Sequence, residues 1–144
     1  VNFLIEHGAD VNSKTTFGYT ALTLAAENGF INVVTLLIDH GADVNSQTVI
    51  GSSPLLLAVS NDREDVAALL VEHGADVNVM NKVGYTALMF ASRNGNTKVA
   101  TLLIDNGADV TRVDKAGNTA LTVAKARWGN DHPLVPLLVS HGGK

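Results

Sequence analysis

The chain of 144 residues has no cysteine, three prolines, one tryptophan and two tyrosines. Without cysteine there is no disulfide framework and no thiolate for a metal or a nucleophile. That absence suits a cytoplasmic or nuclear protein and leaves other compartments open. Long apolar runs are missing too: stretches such as 54–59 fall far short of the roughly 20 residues a membrane-spanning helix needs. No secretory leader is visible, although the chain opens in the middle of a structural unit. Strong charge is also lacking. A formal net charge of −4 argues against an unspecific binder of polyanions. The charge is unevenly placed, with −7 over residues 1–72 and +3 over 73–144, a polarity able to orient an approaching partner.

What the sequence has instead is repetition. His-Gly-Ala-Asp-Val-Asn occurs at 7–12, 40–45 and 73–78, and Asn-Gly-Ala-Asp-Val-Thr follows at 106–111, each 33 residues after the last. A second register keeps the same step: Gly18-Tyr19-Thr20-Ala21-Leu22, Gly51-Ser52-Ser53-Pro54-Leu55, Gly84-Tyr85-Thr86-Ala87-Leu88 and Gly117-Asn118-Thr119-Ala120-Leu121. Thr20, Ser53, Thr86 and Thr119 are predicted helix caps, since a hydroxyl there accepts from free backbone N–H groups. Pro54 suits the first helical position. These signals predict first helices over about 20–28, 53–61, 86–94 and 119–127. Second helices with Leu-Leu pairs follow near 31–39, 63–72, 96–105 and 133–140. Gly41, Gly74 and Gly107 end them, and the polar stretch to the next Gly-x-Thr reads as a protruding loop or hairpin.

One such unit cannot bury its own apolar face, so the units stack into a solenoid. The pattern resembles the ankyrin repeat family, with its Gly-x-Thr-Pro-Leu-His-x-Ala-Ala helix, Leu-Leu helix and Gly-Ala-Asp-Val-Asn turn. The resemblance covers essentially the whole chain. It implies an all-α array of helix-turn-helix units with protruding loops: the C-terminal half of a truncated repeat at 1–12, full repeats at 13–45, 46–78 and 79–111, and a capping repeat at 112–144. Some positions depart from the family pattern. Its histidine is replaced by Thr23, Leu56, Met89 and Thr122, and Asp62 stands where Gly29 and Gly95 close the equivalent turns. Aspartate tolerates a left-handed backbone less well than glycine, so Asn61-Asp62 is expected to be a weak turn.

Regularity also bears on chemistry. His7, His40, His73 and His141 recur at the ends of second helices, where an imidazole meets free carbonyls and the negative end of the helix dipole. Asp10, Asp43, Asp76 and Asp109 form a second column, read as turn-shaping hydrogen-bond acceptors. Packed layers lie about 10 Å apart, whereas zinc needs ligands at about 2 Å from one centre. No phosphate loop, nucleophile elbow or His-Glu-x-x-His string is present. An enzyme or metal site built on these columns is the rival reading, and metal analysis discriminates it; otherwise no enzyme activity, cofactor or metal is expected. Trp128, in the terminal insertion, is expected to pack over the last layer.

By the same resemblance, recognition uses the loop tips and the exposed side of the first helices, lining a concave groove. Carried onto this chain, the tip positions are Phe17, Tyr19, Ile50, Ser52, Val83, Tyr85, Ala116 and Asn118. Apolar and aromatic side chains on a protruding edge mark an interface; the alternative is that they fold back, tip against tip. The groove side also carries Arg93 and Asn94, with tip bases Lys14, Lys82 and Lys115, and is expected to be neutral at the N-terminal side and mildly basic toward the C-terminal side. The expected partner is another protein or peptide with hydrophobic anchors and some acidic residues, bound by a monomer within a scaffold, regulator or effector. Nucleic-acid binding by the basic half lacks a dense basic stripe with interleaved aromatics. Asn12, Asn45 and Asn78 also sit in a Leu-x5-Asp-Val-Asn setting similar to targets of an asparaginyl hydroxylase, although a turn-forming role explains them first.

Overall fold

Each first helix begins where a hydroxyl reaches back to a free backbone N–H. In the computed structural model, which describes all residues from Val1 to Lys144, Thr20 accepts from the N–H of Thr23, Ser53 from Leu56, Thr86 from Met89 and Thr119 from Thr122, at 3.2–3.3 Å. The departures at the family's histidine position acquire a reason here. Thr23 and Thr122 accept in return from the backbone N–H of Thr20 and Thr119, at 2.8 Å each, which completes reciprocal capping boxes. Leu56 and Met89 are buried in the core instead.

The chain forms nine α-helices and no strand. They fall into two compact units, Val1–Asp76 and Val77–Lys144. The first unit holds α1 (Asn2–Glu6), α2 (Ala21–Asn28), α3 (Ile31–Asp39), α4 (Pro54–Ser60) and α5 (Glu64–Glu72). There α2 packs on α4, and each pairs with its own second helix, α3 or α5. Leu22, Ala25 and Ala26 meet the wholly buried run Pro54–Val59, while Val34, Leu37, Val66, Ala67 and Leu70 close the other side. The second unit holds α6 (Ala87–Asn94), α7 (Thr97–Asp105), α8 (Ala120–Trp128) and α9 (Leu134–Ser140). Here α6 packs on α8, with α7 and α9 paired to them. Alanines at the first-helix contacts (Ala25, Ala26, Ala58, Ala91, Ala124) allow close approach, and each fully buried leucine contributes about 1.5–3 kcal/mol.

The turn at Asp62 adopts the left-handed conformation that glycine takes at the equivalent positions. With φ 59° it is the only non-glycine residue at positive φ. Arg63 follows it: its Nε donates to the Glu27 carbonyl at 3.1 Å and its stem lies against Gly29, so the neighbouring turn is tied down.

Asparagines join successive loops within each unit. The Asn12 carboxamide donates to the Gly41 carbonyl and accepts from the Asp43 N–H. Asn45 does the same with Gly74 and Asp76, and in the second unit Asn78 does so with Gly107 and Asp109. Thr111, fourth in this column, turns back to Asp109 instead.

One hydroxyl in the core is unpaired. Ser92 is fully buried on α6 and its Oγ has no hydrogen-bond partner, while Ala26 occupies the matching place on α2. Removing an unsatisfied buried hydroxyl recovers its desolvation penalty, and alanine is the better helix former. Ser92→Ala is therefore expected to stabilise the fold by about 1 kcal/mol. A urea midpoint that rises at constant slope would show it; a fall would mean the hydroxyl is doing something else.

Candidate protein-binding surface

The tips are locked by a repeated three-bond pattern. Taking Thr15, Thr48, Asn81 and Asp114 as starting points, the backbone N–H of each donates to the carbonyl four residues on: Tyr19, Ser52, Tyr85 and Asn118. The glycine between (Gly18, Gly51, Gly84 or Gly117) donates back to the carbonyl of the starting residue. The side-chain oxygen of the starting residue then accepts the N–H of the fourth residue on, at 2.8–3.1 Å. Neighbouring tips are also joined through their backbones: Val49 donates to the Phe17 carbonyl in the first unit and Lys115 to the Val83 carbonyl in the second. Sequence reading missed this column, because two threonines, an asparagine and an aspartate share only an acceptor oxygen.

Asp114 is the strongest of these locks. Its carboxylate accepts from the Asn118 side chain and from the backbone N–H groups of Asn118 and Ala116. The side-chain bond from Asn118, followed by the backbone bonds, holds its carboxyl below the ordinary value of 3.8, against the opposing effect of burial. The hydroxyl and N–H of Thr111, with some help from Arg112, lower Asp109 likewise. A depressed folded value means that the unfolded chain takes the proton first. The stabilisation is thus complete above pH 3.8 and is lost as the pH falls through the lowered value. In an acid titration the Asn118 amide is expected to lose hydrogen-exchange protection below that pH, and Asp114→Asn to remove the step.

Not every expected tip residue points outward. Phe17, Ile50 and Val83 leave more than half their surface exposed, so they do not fold back tip against tip, and Ala116 is exposed as well. Lys14, Lys82, Lys115 and Arg93 are exposed, while Tyr19, Tyr85, Asn94 and Asn118 are half-buried. Ser52 corrects the expectation: it is only 6% exposed and its N–H is held by Thr48, so it has little surface to offer a partner. Asn118 commits its amide to Asp114.

The first-helix face carries apolar residues that the sequence reading did not single out. Leu24 is 44% exposed, and Phe90 and Val123, at the same register of α6 and α8, are half-buried; only Leu57 of this column is covered. The signal was present, an apolar residue four positions after every cap, but it is shared with true core positions. Around Phe90 the second unit builds an aromatic and cationic cluster. Tyr85 lies 5.0 Å from the Phe90 ring centroid and the Arg93 guanidinium 4.8 Å above it.

The histidine and aspartate columns serve local structure. His7, His40, His73 and His141 each donate from Nδ1 to the carbonyl four residues earlier, at 2.7–2.9 Å. Asp10 and Asp43 accept from the N–H two residues on. No three His, Asp or Glu side chains converge. Trp128 packs on the preceding repeat rather than over the last layer: its indole N–H donates to the Ser92 carbonyl at 3.0 Å and its ring covers Gly95.

Capped helix pairs repeating every 33 residues, each carrying a hydrogen-bonded tip, define a helical repeat protein. The family model for ankyrin repeats, three copies, matches residues 1–81 and 74–144, and the chain belongs to the ankyrin repeat family. Comparison with curated proteins gave no match. Ankyrin repeats are generally protein–protein interaction modules and are typically non-enzymatic. No helix here is long and apolar enough to cross a membrane.

Proposed function

We propose that this chain recognises a partner protein or peptide through its loop tips and the exposed side of its first helices. One observation carries the reading: apolar side chains stand exposed on tips whose backbones are already fixed by three hydrogen bonds each. Exposed phenyl and branched aliphatic groups are costly to leave in water, and a pre-ordered loop loses little entropy when it binds. The contact residues are Phe17, Tyr19 and Ile50 in the first unit and Lys82, Val83, Tyr85, Arg93, Asn94, Lys115 and Asn118 in the second. Ser52 acts only by shaping its tip.

Charge refines the partner. The first unit holds ten acids and two bases, the second four acids and eight bases. A segment with hydrophobic anchors and some acidic residues suits the second unit. Tyr19→Ala combined with Tyr85→Ala is expected to weaken partner binding by tenfold or more, since tyrosines at interfaces carry about 1–2 kcal/mol or more each. An affinity pull-down with the chain and with this variant, both checked for helicity, measures it. Undiminished capture by the variant would remove the proposal's main support.

A further inference from the structure

We propose that the second unit contains a side-chain subsite, in which the depression beside Tyr85 seats an apolar residue of the partner segment while Arg127 and Arg93 take carboxylates next to it. This rests on the protein-recognition reading and narrows it to one place and one chemistry.

The depression lies between the tip and α8, lined by Tyr85, Asn118, Thr122, Val123, Ala126 and Arg127, with a volume of about 280 Å³. That is at or below the lower end of small-molecule sites, about 300–1,000 Å³, and it suits one side chain better than a cofactor. Its polar lining is largely spent. The Thr122 hydroxyl donates to the Thr119 carbonyl and accepts from the Thr119 N–H, and the Asn118 amide donates to Asp114. What remains for a guest is chiefly apolar, Val123, Ala126 and the ring of Tyr85 braced on Phe90, with Arg127 and the Tyr85 hydroxyl at the rim.

The cations are placed by aromatic rings. Arg93 sits over Phe90 at 4.8 Å, and Arg127 over Trp128 at 5.3 Å from the ring centroid. Trp128 is in turn anchored by its bond to the Ser92 carbonyl, which sets the orientation of the platform under Arg127. A cation–π contact orients a guanidinium without consuming its N–H donors, which stay available for the paired oxygens of a carboxylate. Both arginines lie in the last turns of first helices, and their unit carries eight bases against four acids. Charge complementarity therefore selects an acidic peptide segment with an apolar anchor.

The probe is a phage-displayed library of random dodecapeptides, panned on the full chain. Enriched peptides are expected to place Leu, Phe or a similar anchor within two or three positions of Asp or Glu. Labelled versions should bind about tenfold more weakly to Arg127→Ala, the order expected when a charge-assisted hydrogen bond is lost. The same peptides with amidated carboxylates should lose as much, Arg93→Ala should add to the loss, and bound peptide should shift the backbone amides of Thr122 through Arg127. Arg127 is exposed, so its loss leaves the core intact. Enrichment of peptides without acids, affinity indifferent to Arg127→Ala, or no enrichment at all would overturn the subsite. The broader reading falls separately, only if the two-tyrosine variant keeps its partner.

Discussion

Leu70→Ala is expected to lower the unfolding free energy by about 2–5 kcal/mol. Leu70 has no exposed surface and sits on α5 with Val66 and Ala67, facing α4 and α3. Truncation removes apolar contact and leaves a cavity between helices whose alanines are too small to fill it. Urea unfolding measures the loss. Leu24→Ala is the control, because Leu24 is 44% exposed and its truncation should cost well under about 1 kcal/mol. If the two variants were equally stable, the burial pattern described for this unit would be wrong.

Gly84→Ala is the second large effect, with an expected loss of about 2–4 kcal/mol from two causes acting together. The backbone there has φ +85°, where an L side chain is strained by about 1–2 kcal/mol. A Cβ would also come within 2.8 Å of the Asp114 Cα and 3.0 Å of the Lys115 nitrogen, backbone atoms that cannot swing aside. The bond from Lys115 to the Val83 carbonyl must then lengthen or break. Gly107→Ala separates the causes: φ is +88° there, but a Cβ would meet nothing within 4 Å. It should show the strain alone, so equal losses in the two variants would remove the steric argument.

Much of the fold was legible because its signals are local. A hydroxyl before a helix and a glycine after it act within four residues, so every helix of the four full hairpins begins and ends within one or two residues of expectation. The surface was harder to read, for a physical reason. Exposure of a side chain is set by what lies on its neighbours, not by its own register. Tyr19 and Ser52 occupy the same position of successive repeats, yet one is half-buried and the other is covered. Leu57 is enclosed where Phe90 and Val123 are partly open. The platform that places Arg127 was likewise out of reach, since it depends on an indole bonded 36 residues away in the chain.

The asparagine bridges all run in one direction along the chain. Asn12 serves the loop at Gly41 and Asp43, Asn45 the loop at Gly74 and Asp76, and Asn78 the loop at Gly107 and Asp109. In every case the side chain belongs to the earlier repeat and the backbone it satisfies belongs to the later one. During synthesis from the N-terminus, each loop leaves the ribosome after its template already exists. For these three loops, the backbone groups that the bridges satisfy are never made before the side chain that serves them. The ladder thus gives the array a direction that matches the order in which the chain is synthesised.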